Sequence, residues 1–136
     1  MRETPNGVPT SRPRLTVVVV EDHAGVREQL VALMQDEGID VLAAVTTVHA
    51  GYEAVAANHP DVAVLDNRLP DGLGIDLCRT LTAELPGVRV VLHAGAMTAD
   101  EERAAVAAGA AAVVQKSVRA DTLIHAVRAL AAPVAR

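Results

Sequence analysis

The sequence predicts an α/β domain in which a parallel five-stranded sheet is covered by helices on both faces. Three observations predict it. Short runs rich in Val, Ala and Leu, at residues 15–20, 61–65 and 112–115, are each too short for a core helix and each end abruptly in charge. Between them lie longer stretches of helical period, and strands joined by helices are the simplest arrangement that buries both. The runs are also apolar on both faces, as strands of a sheet covered on two sides must be.

The elements follow in order. Thr4, Pro5, Asn6, Gly7, Pro9, Ser11 and Pro13 predict a disordered tail over residues 1–13, because too little burial is available to offset ordering. The domain is expected over 14–131, with a short tail at 132–136. Strand one is 15–20. The helix after it runs from about 24 to 36, with Val26, Leu30, Leu33 and Met34 on one face and Gly38 as its stop. Residues 39–45 form strand two, and Thr46 or Thr47 caps a helix carrying Tyr52, Val55 and Ala56 that Asn58, His59 and Pro60 end.

Strand three is 61–65, and residues 67–74 hold Pro70, Asp71, Gly72 and Gly74, a turn-rich loop directly after Asp66. Ile75, Leu77, Cys78, Leu81 and Leu85 sit at helical spacing until Pro86 and Gly87 break the chain. Strand four is 88–93. A helix over 99–108 ends at Gly109, strand five ends at Lys116, and Leu123, Ile124, Val127 and Leu130 mark the last helix. The five strand–helix units predict a single flavodoxin-like (βα)5 domain with strand order 2-1-3-4-5, the order that the general rule for open α/β sheets cites for that fold.

Composition narrows the function. A chain of 136 residues is long enough for one core without disulfides or structural metal. Tyr52 is the sole aromatic, and the net charge is −5, so neither a stacking platform nor a basic surface exists for nucleic acid. The lone Cys78 excludes an internal disulfide and a multi-cysteine zinc site, fits a reducing cytoplasm, and reads as packing. No run of about twenty apolar residues could span a membrane. No Gly-x-Gly-x-x-Gly follows strand one and no Walker loop occurs, which argues against a dinucleotide enzyme.

Ligands of such sheets bind beyond the carboxyl ends of the strands, where the strand order reverses. Strands one and three are neighbours in this order, so Glu21, Asp22 and Asp66 converge, and Lys116 reaches inward from two strands away. Crowded carboxylates repel, and a divalent cation relieves them. Oxygen-only ligands with room for water and phosphate suit Mg²⁺ better than Zn²⁺. In such a site Asp66 attacks as a nucleophile to give an aspartyl phosphate, and Lys116 pairs with a phosphoryl oxygen.

Val19, Val20, Glu21, Asp22 and His23, the run from Asp66 to Gly74, Gly109 with Ala110, and Lys116 with Ser117 carry a family resemblance. Over about residues 15–130 the chain resembles the receiver domain of bacterial two-component response regulators, of the NarL/LuxR-like class. The resemblance implies a phosphorelay receiver rather than an enzyme, at most phosphorylating itself from a phosphodonor and slowly autodephosphorylating. It implies that Asp66 takes phosphate from a sensor histidine kinase in the cytoplasm. Mg²⁺ would be held by Asp22, Asp66 and the backbone carbonyl of Arg68, with Glu21 acting mainly through metal-bound water. It implies a homodimer or output surface over 98–130, which Ala104, Ala105, Ala107 and Ala108 would keep small and smooth, and regulation of transcription through a helix-turn-helix effector. Direct nucleic-acid binding by this chain is not implied, since only twenty residues follow Lys116.

Two positions depart from the family pattern. Ala94 stands where the family has Thr or Ser, and Val113 stands where it has Tyr or Phe. The hydroxyl and the ring together report phosphorylation in that family. A hydrogen bond to a charged group contributes roughly 1.5–3 kcal/mol, a large share of the about 5.5 kcal/mol that inverts a two-state population. His93 adjoins Ala94 and has a donor to offer, but strand alternation turns the two to opposite faces. His23, His49, His59 and His125 have no metal-ligand spacing and are expected at the surface.

Two alternatives compete with the phosphorylatable receiver. One is a pseudo-receiver that keeps the fold as a docking or dimerisation module independent of phosphorylation. The other is a magnesium phosphohydrolase of the haloacid dehalogenase type, which needs a second Asp two residues after the first, where this chain has Arg68.

Overall fold

Residues 14–116 and 120–131 are described by a computed structural model, so the expected tails at 1–13 and 132–136, and Ser117, lie outside the described residues. The elements are β1 (Thr16–Val20), α1 (Ala24–Asp36), β2 (Asp40–Val45), α2 (Val48–Asn58), β3 (Val62–Leu65), β4 (Arg68–Leu69), β5 (Gly72–Leu73), α3 (Gly74–Glu84), β6 (Arg89–Ala94), α4 (Ala99–Ala107), β7 (Ala112–Gln115) and α5 (Ala120–Ala131). The main sheet is parallel, in the order β2-β1-β3-β6-β7. Counting the five long strands alone, this is the expected 2-1-3-4-5.

Alternation along each strand builds two cores. Val17 and Val19 of β1, with Val62 and Val64 of β3, face α1 and α5, where Leu30, Met34, Leu123, Ile124 and Val127 cover them. Val18, Val20, Ala63 and Leu65 face the other way, under Val55 of α2, Leu77, Cys78 and Leu81 of α3, and Ala105 and Ala108 of α4. Each fully buried Val or Leu contributes about 1.5–3 kcal/mol, and the central strands are buried on both faces because helices occupy both. Cys78 packs at the bottom of the second core with its thiol pushed up by burial, as a structural cysteine should be.

Two details depart from expectation. The loop over 67–74 contains a small antiparallel hairpin, β4 with β5, in which Arg68 pairs with Leu73 and Leu69 with Gly72. Two residues per strand are too few to show an alternation in the sequence. The end of α2 falls where the sequence places it, at His59 in the left-handed region, φ 48° and ψ 58°, with Pro60 after it. On α4, Ala105 and Ala108 are buried in the core, so they do not smooth the surface; Ala107 and a 65% exposed Val106 face outward instead.

Helix ends are closed by local chemistry. Thr47 caps α2 by accepting from the Ala50 amide at 3.0 Å. Thr98 and Glu101 form a reciprocal capping box on α4, the Thr-x-x-Glu spacing that marks a helix start. His23 caps α1 through Nδ1, which accepts from the Val26 amide at 3.2 Å.

Candidate functional site

The ladder that holds the sheet also delivers the acids. Beyond the last paired residues, the Glu21 amide donates to the Val45 carbonyl at 2.9 Å, the Asp66 amide to Val20 at 2.8 Å, and the Lys116 amide to Ala94 at 2.7 Å. Each residue just past a strand's carboxyl end is therefore fixed by its neighbour strand, and side chains expected at one edge are brought there.

Carboxylate oxygens of Glu21, Asp22 and Asp66 lie within 4.8 Å of one another. Glu21 is 1% exposed and Asp66 7%, while Asp22 is open to solvent. Lys116 crosses the mouth of β6 to join them, its Nζ 2.9 Å from Glu21 Oε1 and 3.3 Å from Asp66 Oδ2. The shielded Oε1 of Glu21 thus has the Lys116 ammonium as its ion-pair partner. The other oxygen, Oε2, accepts from the His23 amide at 3.1 Å.

Burial and charge crowding both act on the carboxyl at the centre. Burial first, and then the Glu21 carboxylate, push Asp66 up to about 6, against the downward pull of Lys116. Burial opposes the charge on Lys116, but its contact with Glu21 and the charges of Asp66 and Glu21 outweigh that and raise its pKa. The donor set fits Mg²⁺: all oxygen, three carboxylates, one of them open to water.

The loop that follows Asp66 is held from both sides. Asn67 accepts from Gly74 N through its carbonyl at 2.7 Å and from Ile75 N through Oδ1 at 3.1 Å, so the residue after the acid anchors the start of α3. Gly74 is required here, since a Cβ would stand 2.2 Å from the Asp66 carbonyl oxygen. Asp71 reaches across to α2 and accepts from the amides of Val48 at 2.7 Å and His49 at 3.1 Å, which hold its carboxyl below the usual range. On the opposite side, Arg68 Nη2 lies 3.4 Å from Glu101 Oε2 on the first turn of α4. Sequence reasoning missed both Asp71 and Glu101 as partners; a capping box at Thr98 was legible, but its link to Arg68 was not.

A cavity of about 340 Å³ opens over the acid, lined by Asp66, Asn67, Arg68, Ala94, Gly95, Ala96 and Lys116. Ala94 is 3% exposed and supplies only a methyl group. Val113, half-buried, packs into the core under α3 and α4, on the face that Ala94 shares by alternation.

His93 faces the other side. It is 8% exposed, and it lines a separate cavity of about 180 Å³ with Val26, Gln29, Leu30, Leu33, Lys116 and Leu123. Burial and Lys116 lower its pKa, against the pull of Glu21, and its Nδ1 has no partner. It therefore offers nothing in place of the hydroxyl missing at Ala94. His23, His49, His59 and His125 are all exposed, as expected. Among the described residues no helix is long and apolar enough to cross a membrane.

Comparison with known proteins agrees with this geometry. The response regulator receiver domain family model matches residues 17–128. The DNA-binding transcriptional activator DevR/DosR of Mycobacterium tuberculosis is 39% identical over 113 residues, covering 82% of this chain and 52% of that protein. The probable transcriptional regulatory protein TcrX of the same organism is 33% identical over 119 residues, covering 85% and 49%. The chain thus spans about half the length of these relatives. Among solved structures, the signal receiver domain of the putative response regulator NarL from Mycobacterium tuberculosis superposes with a TM-score of 0.83 at 28% identity, over 88% of this chain and 98% of that one.

Proposed function

The chain belongs to the response regulator receiver domain family, and from that premise we propose that it accepts a phosphoryl group on Asp66 from a sensor histidine kinase. The observation that carries the reading is the convergence of three carboxylates and one amine from β1, β3 and β7 on a single edge. An Asp66 carboxylate oxygen forms the new bond to phosphorus, and the bond from phosphorus to the kinase imidazole breaks, its electron pair leaving with the nitrogen. Lys116 holds a phosphoryl oxygen as a point charge. Glu21, too buried to meet the donor, keeps Lys116 aligned and orders the start of α1 through the His23 amide.

Asp22, Asp66 and the Arg68 carbonyl are the residues that would hold Mg²⁺, with Glu21 acting mainly through its water. Bound there, the ion neutralises charge developing on the phosphoryl oxygens. Output through a DNA-binding effector, of helix-turn-helix type, is the reading that the DNA-binding and transcriptional names of the relatives favour, and a homodimer over the 98–130 face is part of the same proposal. A cytoplasmic location follows from the same reading.

A second reading rests on Ala94 and Val113. With neither hydroxyl nor ring at the two switch positions, a pseudo-receiver that docks or dimerises without phosphorylation keeps the same fold. Incubation with acetyl phosphate and Mg²⁺, read by intact mass beside an Asp66→Asn control, separates the two. Gain of one phosphoryl group in the wild type alone supports the acceptor; no Asp66-dependent gain supports the pseudo-receiver.

A further inference from the structure

Among the side chains lining the acceptor cavity, Lys116 and Arg68 are the cations. A phosphoryl group on Asp66 carries three terminal oxygens and close to two negative charges. Of these lining side chains, Lys116 is already paired with Glu21 and Asp66, Asn67 is neutral and buried, with its amide oxygen accepting from Ile75, and Ala94 and Ala96 carry no polar group. Arg68 remains. The residue lines the same cavity, two positions after the acid, and its exposed guanidinium has Glu101 as its partner at 3.4 Å.

That partner belongs to α4. The two oxygens of Glu101 have separate duties: Oε1 accepts from the Thr98 amide at 2.9 Å and closes the helix cap, while Oε2 meets Arg68. The cap therefore survives without Arg68, and what the ion pair adds is a tie between the acceptor loop and the helix. Exposed single pairs of this length are weak. A dianionic oxygen cluster inside the cavity competes with a lone carboxylate for a guanidinium, and the fork geometry of Arg favours the phosphoryl group.

Resting on the acceptor reading above, we propose that Arg68 is the phosphoryl-sensing residue of this chain. When Asp66 is phosphorylated, the guanidinium leaves Glu101 for the phosphoryl oxygens, and α4 loses its tie to the loop. Arg68 so supplies the donor that Ala94 lacks, and the departure from Glu101 supplies a signal that does not need a ring at Val113. No covalent bond beyond the phosphorylation itself is involved.

Beryllofluoride with Mg²⁺, as a phosphoryl mimic, tests this on the full chain. Binding is read by fluorine NMR and the response of α4 by the amide shifts of residues 98–107. In the wild type we expect bound beryllofluoride, a shifted Arg68 side-chain resonance and shifted α4 amides. Arg68→Ala should bind the mimic about tenfold more weakly and, at saturation, lose more than half of the α4 shift changes. Glu101→Gln keeps the cap but not the charge, so its α4 amides should already lie toward the activated positions before the mimic is added. The Arg68 side chain is exposed, that of Glu101 is 31% exposed, and neither belongs to a hydrophobic core, so neither variant endangers folding. A full α4 response in saturated Arg68→Ala, or wild-type α4 positions in untreated Glu101→Gln, would overturn the proposal while leaving the acceptor reading intact. Absence of bound beryllofluoride in the wild type would overturn the acceptor reading, and this inference with it.

Discussion

Lys116 Nζ stands 2.9 Å from the Glu21 carboxylate, nearer than its 3.3 Å approach to Asp66. The amine thus serves the deepest acid first, and the acceptor is left with partial compensation. Lysine here is part of the fold as well as of the chemistry.

Replacing it makes that visible. Lys116→Met leaves two buried carboxylates facing each other without a cation. Removing one partner of a buried pair costs 3–5 kcal/mol in closed sites, and the 27% exposure of the lysine side chain reduces this to about 2 kcal/mol. Urea denaturation of the metal-free protein at pH 7 should show the loss, and an unchanged midpoint would contradict the pairing.

Asp66 gives the pH dependence. Its folded pKa is about 6, above its ordinary value of 3.8, so between these the folded state binds more protons than the unfolded chain. Stability from this group therefore falls as pH rises from about 4 to about 6 and is flat above. Asp66→Asn removes that slope and should raise the stability of the metal-free protein at pH 7 by on the order of 1 kcal/mol. Thermal melts across the window, wild type against variant, measure both. Mg²⁺ needs the ionised carboxylate, so its stabilising effect should shrink as pH drops below about 6.

Gly74→Ala tests how tightly the loop is built. A Cβ 2.2 Å from the Asp66 carbonyl oxygen and 3.1 Å from Asn67 Cα meets backbone on both sides, so the loop itself must move. Overpacking of this kind costs about 1–3 kcal/mol. The variant should melt lower and also bind Mg²⁺ more weakly by calorimetry, because the displaced backbone carries Asp66.

Ala94→Ser restores a hydroxyl on the wall of the acceptor cavity. It should strengthen beryllofluoride binding by about tenfold and should rescue binding in Arg68→Ala. Titration by fluorine NMR checks both variants, and no gain in either would mean that position 94 does not face the bound mimic.

Much of this was legible in the chain. Apolar runs closed by Glu21, Asp66 and Lys116 marked strands and site together, since residues just past a parallel strand have nowhere to point but the carboxyl edge. The parity of His93 and Ala94 was also readable from alternation alone, and the structure puts them in different cavities. What the chain did not disclose depends on distances across the fold. The burial of His93 is set by α1 and α5 closing over it, the hairpin of β4 and β5 is too short for periodicity, and the grip of Asp71 on α2 spans 23 residues. The surface of α4 was misread because five alanines in the ten residues 99–108 carry no pattern to tell inside from outside.

The acceptor loop is fastened unequally. Toward α2, Asp71 holds two backbone amides at 2.7 and 3.1 Å; toward α4, one long side-chain contact of 3.4 Å connects Arg68 to Glu101. A disturbance at the acid will take the looser way out, which gives the domain a direction: one flank serves as abutment and the other as lever. Reversing the two, with the firm clamp moved to α4, would leave a module able to receive a message and unable to pass it on.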